Sequence, residues 1–291
     1  MLYYSVMSKL DPPPFDPSFD DARPAPAWAL THLEQVPPGA YPDGYVVRRQ
    51  FTRRIDVFGA PMTFPTPLDI RLLYDPDGRL WMSDVPQERM MMFHNGQVSR
   101  GHVLVGGLGL ALYPQYAAHA ATRFTVVERS AAVVRMVEPT LARALGRLSP
   151  PLPYTVVQAD VAEFLAAPPT TRYDTVFLDT WDTLDAAHLP WVNRLRDLAL
   201  RHLAPEGRVV LWGYRWMTRL FEVACLALLR VPPDRLAAWL AGQPPTAQSL
   251  LQPVAERWAA LPAPTAEALA WCLDYIVHRA DGPYPDVQAQ T

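Results

Sequence analysis

Lysine is almost missing from this chain of 291 residues: Lys9 is the single lysine among 26 basic residues. Schiff-base chemistry and phosphate binding by a P-loop both use a lysine side chain, so these mechanisms are excluded. Cysteine is scarce as well, since only Cys225 and Cys272 occur, each in an Ala/Leu-rich stretch and neither in a CxxC pair. The sequence therefore predicts neither a disulfide framework nor a cysteine zinc site.

A strong charge of either sign is also absent, because 29 acidic residues nearly balance the 26 basic ones and leave a net charge of −3. Such a balance gives no general attraction to nucleic acid or to an anionic membrane. No apolar run is long enough to span a bilayer, and the first residues lack the basic-then-apolar pattern of a secretion signal. We therefore expect a cytoplasmic protein without nucleic-acid or membrane partners.

Proline, with 32 residues against 14 glycines, marks how the chain is organised. Residues 1–44 are proline-rich with one short helical segment, which predicts an irregular arm. Residues 45–99 then show alternating or β-branched stretches, a turn signal at Asp75-Pro76-Asp77-Gly78 and a helical segment at 86–99. This pattern predicts a small antiparallel β domain that ends in a linking helix.

From residue 100 to residue 214, five short apolar strands alternate with helices. The strands are HVLVGG, RFTVVE, YTVVQAD, YDTVFLD and GRVVLWG. This alternation is typical of a doubly wound, Rossmann-like α/β fold with a mostly parallel sheet, for which we expect the strand order 3-2-1-4-5. Residues 215–291 are rich in Ala and Leu and predict a helical C-terminal extension.

Chemistry-bearing residues follow four of these strands, at the edge where open parallel sheets bind ligands. The first strand runs into the glycine turn Gly106-Gly107-Leu108-Gly109, which lets a ligand approach the backbone. Glu128 ends the second strand, where a carboxylate can accept both hydroxyls of a ribose. Asp160 follows the third strand and can accept from an exocyclic amine, and Asp179 follows the fourth. Together they predict a nucleoside-binding edge.

The chain resembles the class I S-adenosylmethionine-dependent methyltransferases, and within them the spermidine-synthase-like branch, through HVLVGGLGL, VVERS, VVQADVAEFL and YDTVFLDTWD in this order. The resemblance covers roughly residues 65–213 and includes the DGRLWMSD strand before the glycine turn. It implies S-adenosylmethionine as the cofactor, with the glycine turn around its methionine moiety, Glu128 on the ribose, and Asp160 with Val161 beside the adenine. The full set of cofactor residues that it implies is Gly106, Gly107, Leu108, Gly109, Glu128, Arg129, Asp160, Val161 and Asp179.

The Asp179-Thr180-Trp181-Asp182 segment leaves the transferred group open. Aminopropyltransferases carry an Asp-x-x-Asp at this place, which Asp179 and Asp182 match. Their glycine turn continues with an aspartate that is missing here, however, and their Tyr-x-Glu motif falls on Phe93 and Asn95. Catechol-type O-methyltransferases have a similar FLDxW stretch and use a magnesium ion. Because the fifth strand ends in Leu211-Trp212-Gly213-Tyr214 without further oxygen ligands, we expect no metal.

The remaining interpretation is metal-independent methyl transfer to a small or medium organic acceptor. Asp179 or Asp182 is the expected catalytic residue, since either carboxylate can hold an amine or a hydroxyl or take its proton. Trp181 and Tyr214 are the expected substrate residues, as an aromatic wall. Two alternatives stay open: an aminopropyltransferase that uses decarboxylated S-adenosylmethionine, and a non-catalytic relative that binds an adenosyl ligand. The expected partner is a small-molecule acceptor, and a homodimer is the one assembly considered.

Overall fold

The computed structural model describes residues 25, 27–57, 60–260 and 270. This part of the chain forms two compact units. The first contains the described residues of Pro14–Asp182 together with Leu198–Trp212, and it holds both β-sheets. The second contains Thr183–Asp197 and the helices that begin after Gly213. Within the described ranges, no helix combines the length and the apolar character needed to cross a membrane.

The smaller sheet is antiparallel and contains β1 (Gly39–Ala40), β2 (Val46–Val57), β3 (Ala60–Tyr74) and β4 (Leu80–Ser83), in that order. The predicted turn between β3 and β4 is present, and Gly78 there has a left-handed φ of +78°. Two segments that the sequence separates form the single strand β2, which shifts register between Thr52 and Arg54. The strand therefore continues through the polar residues between the two predicted segments, with an irregularity in its pairing to β3 at that place.

The larger sheet contains five parallel strands: β5 (Gly101–Gly106), β6 (Ala121–Glu128), β7 (Tyr154–Gln158), β8 (Tyr173–Leu178) and β9 (Leu203–Leu211). They lie in the order β7-β6-β5-β8-β9, which confirms the predicted order 3-2-1-4-5. The strands are apolar because helices cover the sheet, and Leu104, Phe124 and Val176 are fully buried. The order reverses between β5 and β8, so their carboxyl ends border the crevice where such sheets bind ligands.

The described residues form eight α-helices: α1 (Pro86–Gln97), α2 (Leu112–Ala117), α3 (Ala131–Gly146), α4 (Val161–Ala166), α5 (Leu189–Leu200), α6 (Tyr214–Leu228), α7 (Leu236–Ala241) and α8 (Pro245–Ala259). The longest of them, α3, begins where the Ser130 hydroxyl accepts a hydrogen bond from Val133 N at 3.3 Å. Val133, Val137 and Leu141 then recur every four residues on its buried face. Capping and apolar periodicity together therefore specify this helix.

Helix α2 is shorter than the sequence predicts. The Ala-rich stretch at 116–121 predicts a helix, whereas α2 ends at Ala117 and β6 begins at Ala121. The reason lies in the sheet, since Gly101 N donates to Ala120 O at 2.9 Å and Gly101 pairs with Ala121. Pairing of β5 with β6 thus overrides the high helix propensity of alanine.

The described residues after β9 form the helices α6, α7 and α8 and no strand, as expected for the predicted helical C-terminal extension. The further helical stretch TAEALAWCLDYIVHRA, residues 265–280, lies outside the described residues except for Ala270. So does most of the proline-rich arm before residue 27. The segment boundaries after residues 44, 99 and 214 stay predictions.

A buried ion pair joins α1 to the smaller sheet. Asp84 and Arg89 are 1% and 2% exposed, and Arg89 Nη2 lies 3.0 Å from Asp84 Oδ2. Arg89 also donates to the backbone carbonyls of Leu30 and Asp69, and Asp84 accepts from the backbone N–H of Arg71. Every charged atom of the pair therefore has partners from several segments, which is the condition under which burying two charges is tolerated.

We predict that Asp84→Ala lowers the free energy of unfolding by about 3–5 kcal/mol, because it leaves Arg89 charged and buried without its carboxylate. The matched control is Asp77→Ala, which removes the carboxylate from a pair whose side chains are 72% and 68% exposed. This change should cost less than about 1 kcal/mol. Urea unfolding measures both values, and equal costs for the two substitutions would show that the buried pair is not a structural anchor.

Candidate functional site

The glycine turn after β5 packs directly against the backbone that follows β8. Gly107 has a φ of +91°, and a Cβ added there would stand 2.3 Å from the carbonyl oxygen of Asp179. Asp179 N in turn donates to Gly106 O at 3.0 Å. A side chain at position 107 is therefore excluded both by conformation and by space. The turn and the start of the Asp179–Asp182 segment form one continuous piece of backbone surface.

The other glycines of the turn have different roles. A Cβ on Gly106 would collide with Leu178 Cδ2 at 2.7 Å and with Val161 Cγ2 at 2.8 Å, so this glycine allows close packing. At Gly109, with a φ of +54°, no described atom lies within 4 Å of the position that a Cβ would take. Leu108 between them is buried and anchors the turn. Open space for a ligand is therefore found at Gly109.

Tyr113 fixes α2 immediately after the turn. Its ring stacks on Phe177 of β8 with centroids 3.6 Å apart and an interplanar angle of 10°. Its hydroxyl lies 2.6 Å from the Ser99 hydroxyl, and burial raises the pKa of the Tyr113 phenol well above its usual value. The protonated phenol thus remains a hydrogen-bonding group in the core. This contact holds the end of the glycine turn in place.

Glu128 ends β6 and binds the glycine turn. It is 6% exposed, and its Oε2 accepts from Leu108 N at 2.9 Å while Oε1 accepts from Ser130 N at 2.8 Å. The neighbouring Arg129 is exposed. A carboxylate has about four acceptor positions, so each oxygen can accept one more hydrogen bond. The residue predicted to hold a ribose therefore also links two turns of the protein.

Asp160 follows β7 and begins α4. Its Oδ1 accepts from Ala162 N at 2.7 Å and from Glu163 N at 3.3 Å, which makes Asp160 the N-cap of this helix. Because both bonds use Oδ1, Oδ2 is the oxygen that a ligand amine can reach. Val161, the next residue, is buried beside Gly106. The structure thus brings the third predicted position close to the glycine turn while giving Asp160 a structural role.

The segment after β8 contains one buried and three more accessible residues. Asp179 is half-buried, Thr180 and Asp182 are exposed, and Trp181 is 6% exposed. The Trp181 ring lies against Trp212, which directly follows β9, with centroids 6.4 Å apart and planes inclined at 43°. Sequence reasoning considered Trp212 only for its lack of a metal-binding oxygen. Its position at the end of the fifth strand was the signal that could have identified it.

Tyr214, the other predicted substrate residue, lies in the second compact unit. It is 3% exposed, and its hydroxyl donates to Asn193 Oδ1 at 2.8 Å. Burial raises the pKa of this phenol, so it remains a donor. Within its own unit Tyr214 is therefore a packed and hydrogen-bonded core residue. Its role toward a substrate stays a prediction.

The second unit also contains a cavity of about 650 Å³. Its walls include Trp216, Phe221 and Trp239, with Asp185 and Gln243 as polar members. The Asp185 carboxylate accepts from Ala187 N at 2.9 Å, and the Gln243 amide donates to Trp239 O at 3.3 Å. Each of these polar groups therefore has a hydrogen-bond partner within the protein. The cavity supplies apolar surface, whereas the reactive side chains are at the strand ends.

Comparison with known proteins finds similar structures but no family model and no curated protein that matches the chain. A spermidine synthase is similar at 15% identity and a TM-score of 0.36, over 64% of this chain and 70% of that one. The precorrin-8w decarboxylase of Methanobacterium thermoautotrophicum is similar at 17% identity and a TM-score of 0.32, over 43% and 61%. An S-adenosylmethionine-dependent methyltransferase of Clostridium acetobutylicum is similar at 12% identity and a TM-score of 0.31, over 40% and 44%.

This chain thus spans less than two thirds of the length of the decarboxylase and of the methyltransferase. At TM-scores below 0.5, none of these similarities identifies a function. The chain's own topology gives it a doubly wound, Rossmann-like α/β fold: five parallel strands in the order β7-β6-β5-β8-β9, with a glycine turn after the central strand.

We predict that Glu128→Gln weakens the binding of S-adenosylhomocysteine at least about tenfold, because the charge that would strengthen the predicted hydrogen bonds to the ribose is lost. The same change should lower the free energy of unfolding by roughly 1–3 kcal/mol, since the amide NH₂ faces one of the two backbone N–H groups. Glu163→Gln, at an exposed position of α4, is the control and should change neither value. Titration calorimetry and urea unfolding measure the two effects. Wild-type affinity in a folded Glu128→Gln protein would remove the ribose assignment.

Proposed function

We propose that this chain is an S-adenosylmethionine-dependent methyltransferase that acts on a small or medium organic acceptor without a metal. The observation that supports this most strongly is the arrangement at one edge of the larger sheet. There the glycine turn touches the backbone of Asp179 and is bound by Glu128. Three predicted positions, on β5, β6 and β8, are therefore in contact in three dimensions, which spacing in the sequence alone does not ensure.

The residues at this edge fit an adenosyl ligand. Gly109 borders open space, Glu128 retains acceptor capacity beyond its two backbone partners, and Asp160 presents Oδ2. Along the order β7-β6-β5, these residues would meet the adenine amine, the ribose hydroxyls and the methionine moiety in turn. S-Adenosylmethionine, when bound, supplies a methyl group on a sulfonium centre that is already a good leaving group.

Burial in α1 favours methyl transfer over aminopropyl transfer. Phe93 and Asn95 occupy the positions of the Tyr-x-Glu motif, and they are 8% and 0% exposed. Neither can offer a carboxylate to a polyamine, and both side chains are buried in the protein core. Leu110, which follows the glycine turn, is buried as well. The groups that would bind a cationic amine are thus replaced by core residues.

The protein's own part in the reaction is to orient the acceptor and to take its proton. The backbone of Asp179 lies directly against the glycine turn, and its side chain is half-buried. Asp179 is therefore the residue best placed to do both. A positioned base of this kind contributes about 10²–10⁴ to the rate. The described residues contain no group of three or more His, Cys, Asp or Glu side chains able to hold a metal ion.

Titration calorimetry tests the cofactor class. We expect S-adenosylhomocysteine to bind and NAD not to bind, because Asp160 follows the third strand where the adenine would lie and the turn lacks a later glycine for helix packing. 5′-Methylthioadenosine should bind more weakly than S-adenosylhomocysteine, since it lacks the amino-acid end. Binding of NAD alone would assign the edge to a dinucleotide and contradict the proposal.

Asp179→Asn and Asp182→Asn test the catalytic assignment. We predict that Asp179→Asn lowers turnover by about 10²–10⁴ with little change in S-adenosylhomocysteine affinity. Asp182→Asn should have a small effect, because this side chain is exposed. Formation of S-adenosylhomocysteine is followed across an acceptor panel with EDTA present, where a metal-independent enzyme stays active. The reverse pattern would assign the base to Asp182, and silence at both positions would indicate transfer by alignment alone.

A further inference from the structure

Two tryptophans meet at the carboxyl ends of the last two strands of the sheet. Trp181 comes three residues after β8, and Trp212 directly follows β9. The rings are 6% and 7% exposed, with centroids 6.4 Å apart. The backbone N–H of Trp212 donates to Leu178 O at 3.0 Å, so its position is fixed by the last residue of β8. The pair is therefore part of the ligand-binding edge and not of a surface loop.

Both indole N–H groups lack an acceptor among the described residues, although both Nε1 atoms are buried. Indole nitrogen can only donate a hydrogen bond. A buried donor without a partner is uncommon in folded proteins, because it has lost its bonds to water and gained none. Two such donors, on rings whose centroids are 6.4 Å apart at the edge where sheets of this kind bind ligands, indicate that a ligand supplies the acceptor atoms.

The order of the strands indicates which part of a ligand this is. Asp160 follows β7, Glu128 ends β6 and the glycine turn follows β5, so the proposed adenine and ribose positions lie on one side of the turn. Strands β8 and β9 lie on the other side, in successive steps of roughly 4.8 Å. The close approach of Gly107 to Asp179 joins the turn to this side. A ligand whose adenosine occupies the first side presents its amino-acid end to the second.

We propose, on the basis of the proposed function, that Trp181 and Trp212 donate their indole N–H groups to the α-carboxylate of S-adenosylmethionine. A carboxylate has enough lone pairs to accept from both, and such bonds are charge-assisted. The adjacent α-ammonium makes this end of the ligand neutral overall, so Asp179 and Asp182 do not repel it. Because both N–H groups are closed off from solvent, the Asp179–Asp182 segment must shift when the ligand enters.

This arrangement makes the two tryptophans determinants of cofactor specificity. They select S-adenosylmethionine over its decarboxylated form, which has the ammonium but lacks the carboxylate. Decarboxylated S-adenosylmethionine is the donor for aminopropyl transfer. The indole pair therefore commits the site to methyl transfer, independently of the core residues at the Tyr-x-Glu positions.

Two product analogues test the inference on the wild-type chain. S-Adenosylhomocysteine and S-adenosyl-3-thiopropylamine differ only in the carboxylate. We expect titration calorimetry to show that S-adenosylhomocysteine binds at least about tenfold more tightly, the effect of losing one or two charge-assisted bonds. Equal affinities overturn this inference alone. Failure of S-adenosylhomocysteine to bind at all overturns the proposed function and this inference with it.

Trp181→Phe and Trp212→Phe locate the donors, since each keeps an aromatic ring and removes one N–H. Each should weaken S-adenosylhomocysteine binding about tenfold and leave S-adenosyl-3-thiopropylamine binding unchanged. Trp258→Phe is the matched control: Trp258 is 8% exposed, its Nε1 likewise has no acceptor among the described residues, and it lies in α8 of the second unit. It should affect neither ligand. Equal loss of both ligands in the two test variants would mean that the rings only pack, which contradicts the inference.

Discussion

The carboxylate of Glu128 is the contact on which the proposed site most depends. One oxygen accepts a hydrogen bond from the backbone N–H of Leu108 in the glycine turn, and the other accepts from the backbone N–H of Ser130. The Ser130 hydroxyl in turn caps the N-terminus of α3. The conformation of the turn, the start of a long helix and the proposed ribose contact thus share one side chain. Because the protein's own N–H groups already orient both oxygens, a ribose would meet a fixed acceptor. Such preorganisation lowers the cost of ordering the site when the ligand binds.

The larger sheet could be predicted because its evidence is local: five apolar segments, each followed by a helix, specify a parallel sheet and its order. The predicted ends of α2 and of β2 were wrong, because pairing between strands that are distant in the sequence determines where these elements end. The Ala-rich stretch after Tyr116 becomes a turn because Gly101 pairs with Ala121. Likewise, β2 is continuous because β3 pairs with it on both sides of a register shift. No local propensity contains that information.

The site could be predicted in position but only partly in role. Aspartate is favoured both as a helix N-cap and as a ligand contact, so the sequence at Asp160 could not show that Oδ1 is already used by α4. At Glu128 the sequence likewise gives no sign of the bond from Leu108, twenty residues away. The pairing of Trp181 with Trp212 depends on β8 and β9 being neighbours and became visible only in three dimensions.

The residues at the Tyr-x-Glu positions, which weaken an aminopropyltransferase interpretation, are also part of the buried core. Asn95 and Phe93 of α1 are buried, and Arg89 of the same helix is bound to Asp84, which directly follows the last strand of the smaller sheet. This part of the chain is thus built for packing, with no carboxylate directed at a polyamine. In the proposal above, recognition of the cofactor's amino-acid end comes from the other side of the glycine turn. That side is where β8 and β9 end, and where two indole donors are buried without an acceptor in the described residues. In this proposal, the order of the strands places the two indole donors beside the glycine turn. The same donors select the carboxylate-bearing cofactor and therefore methyl transfer.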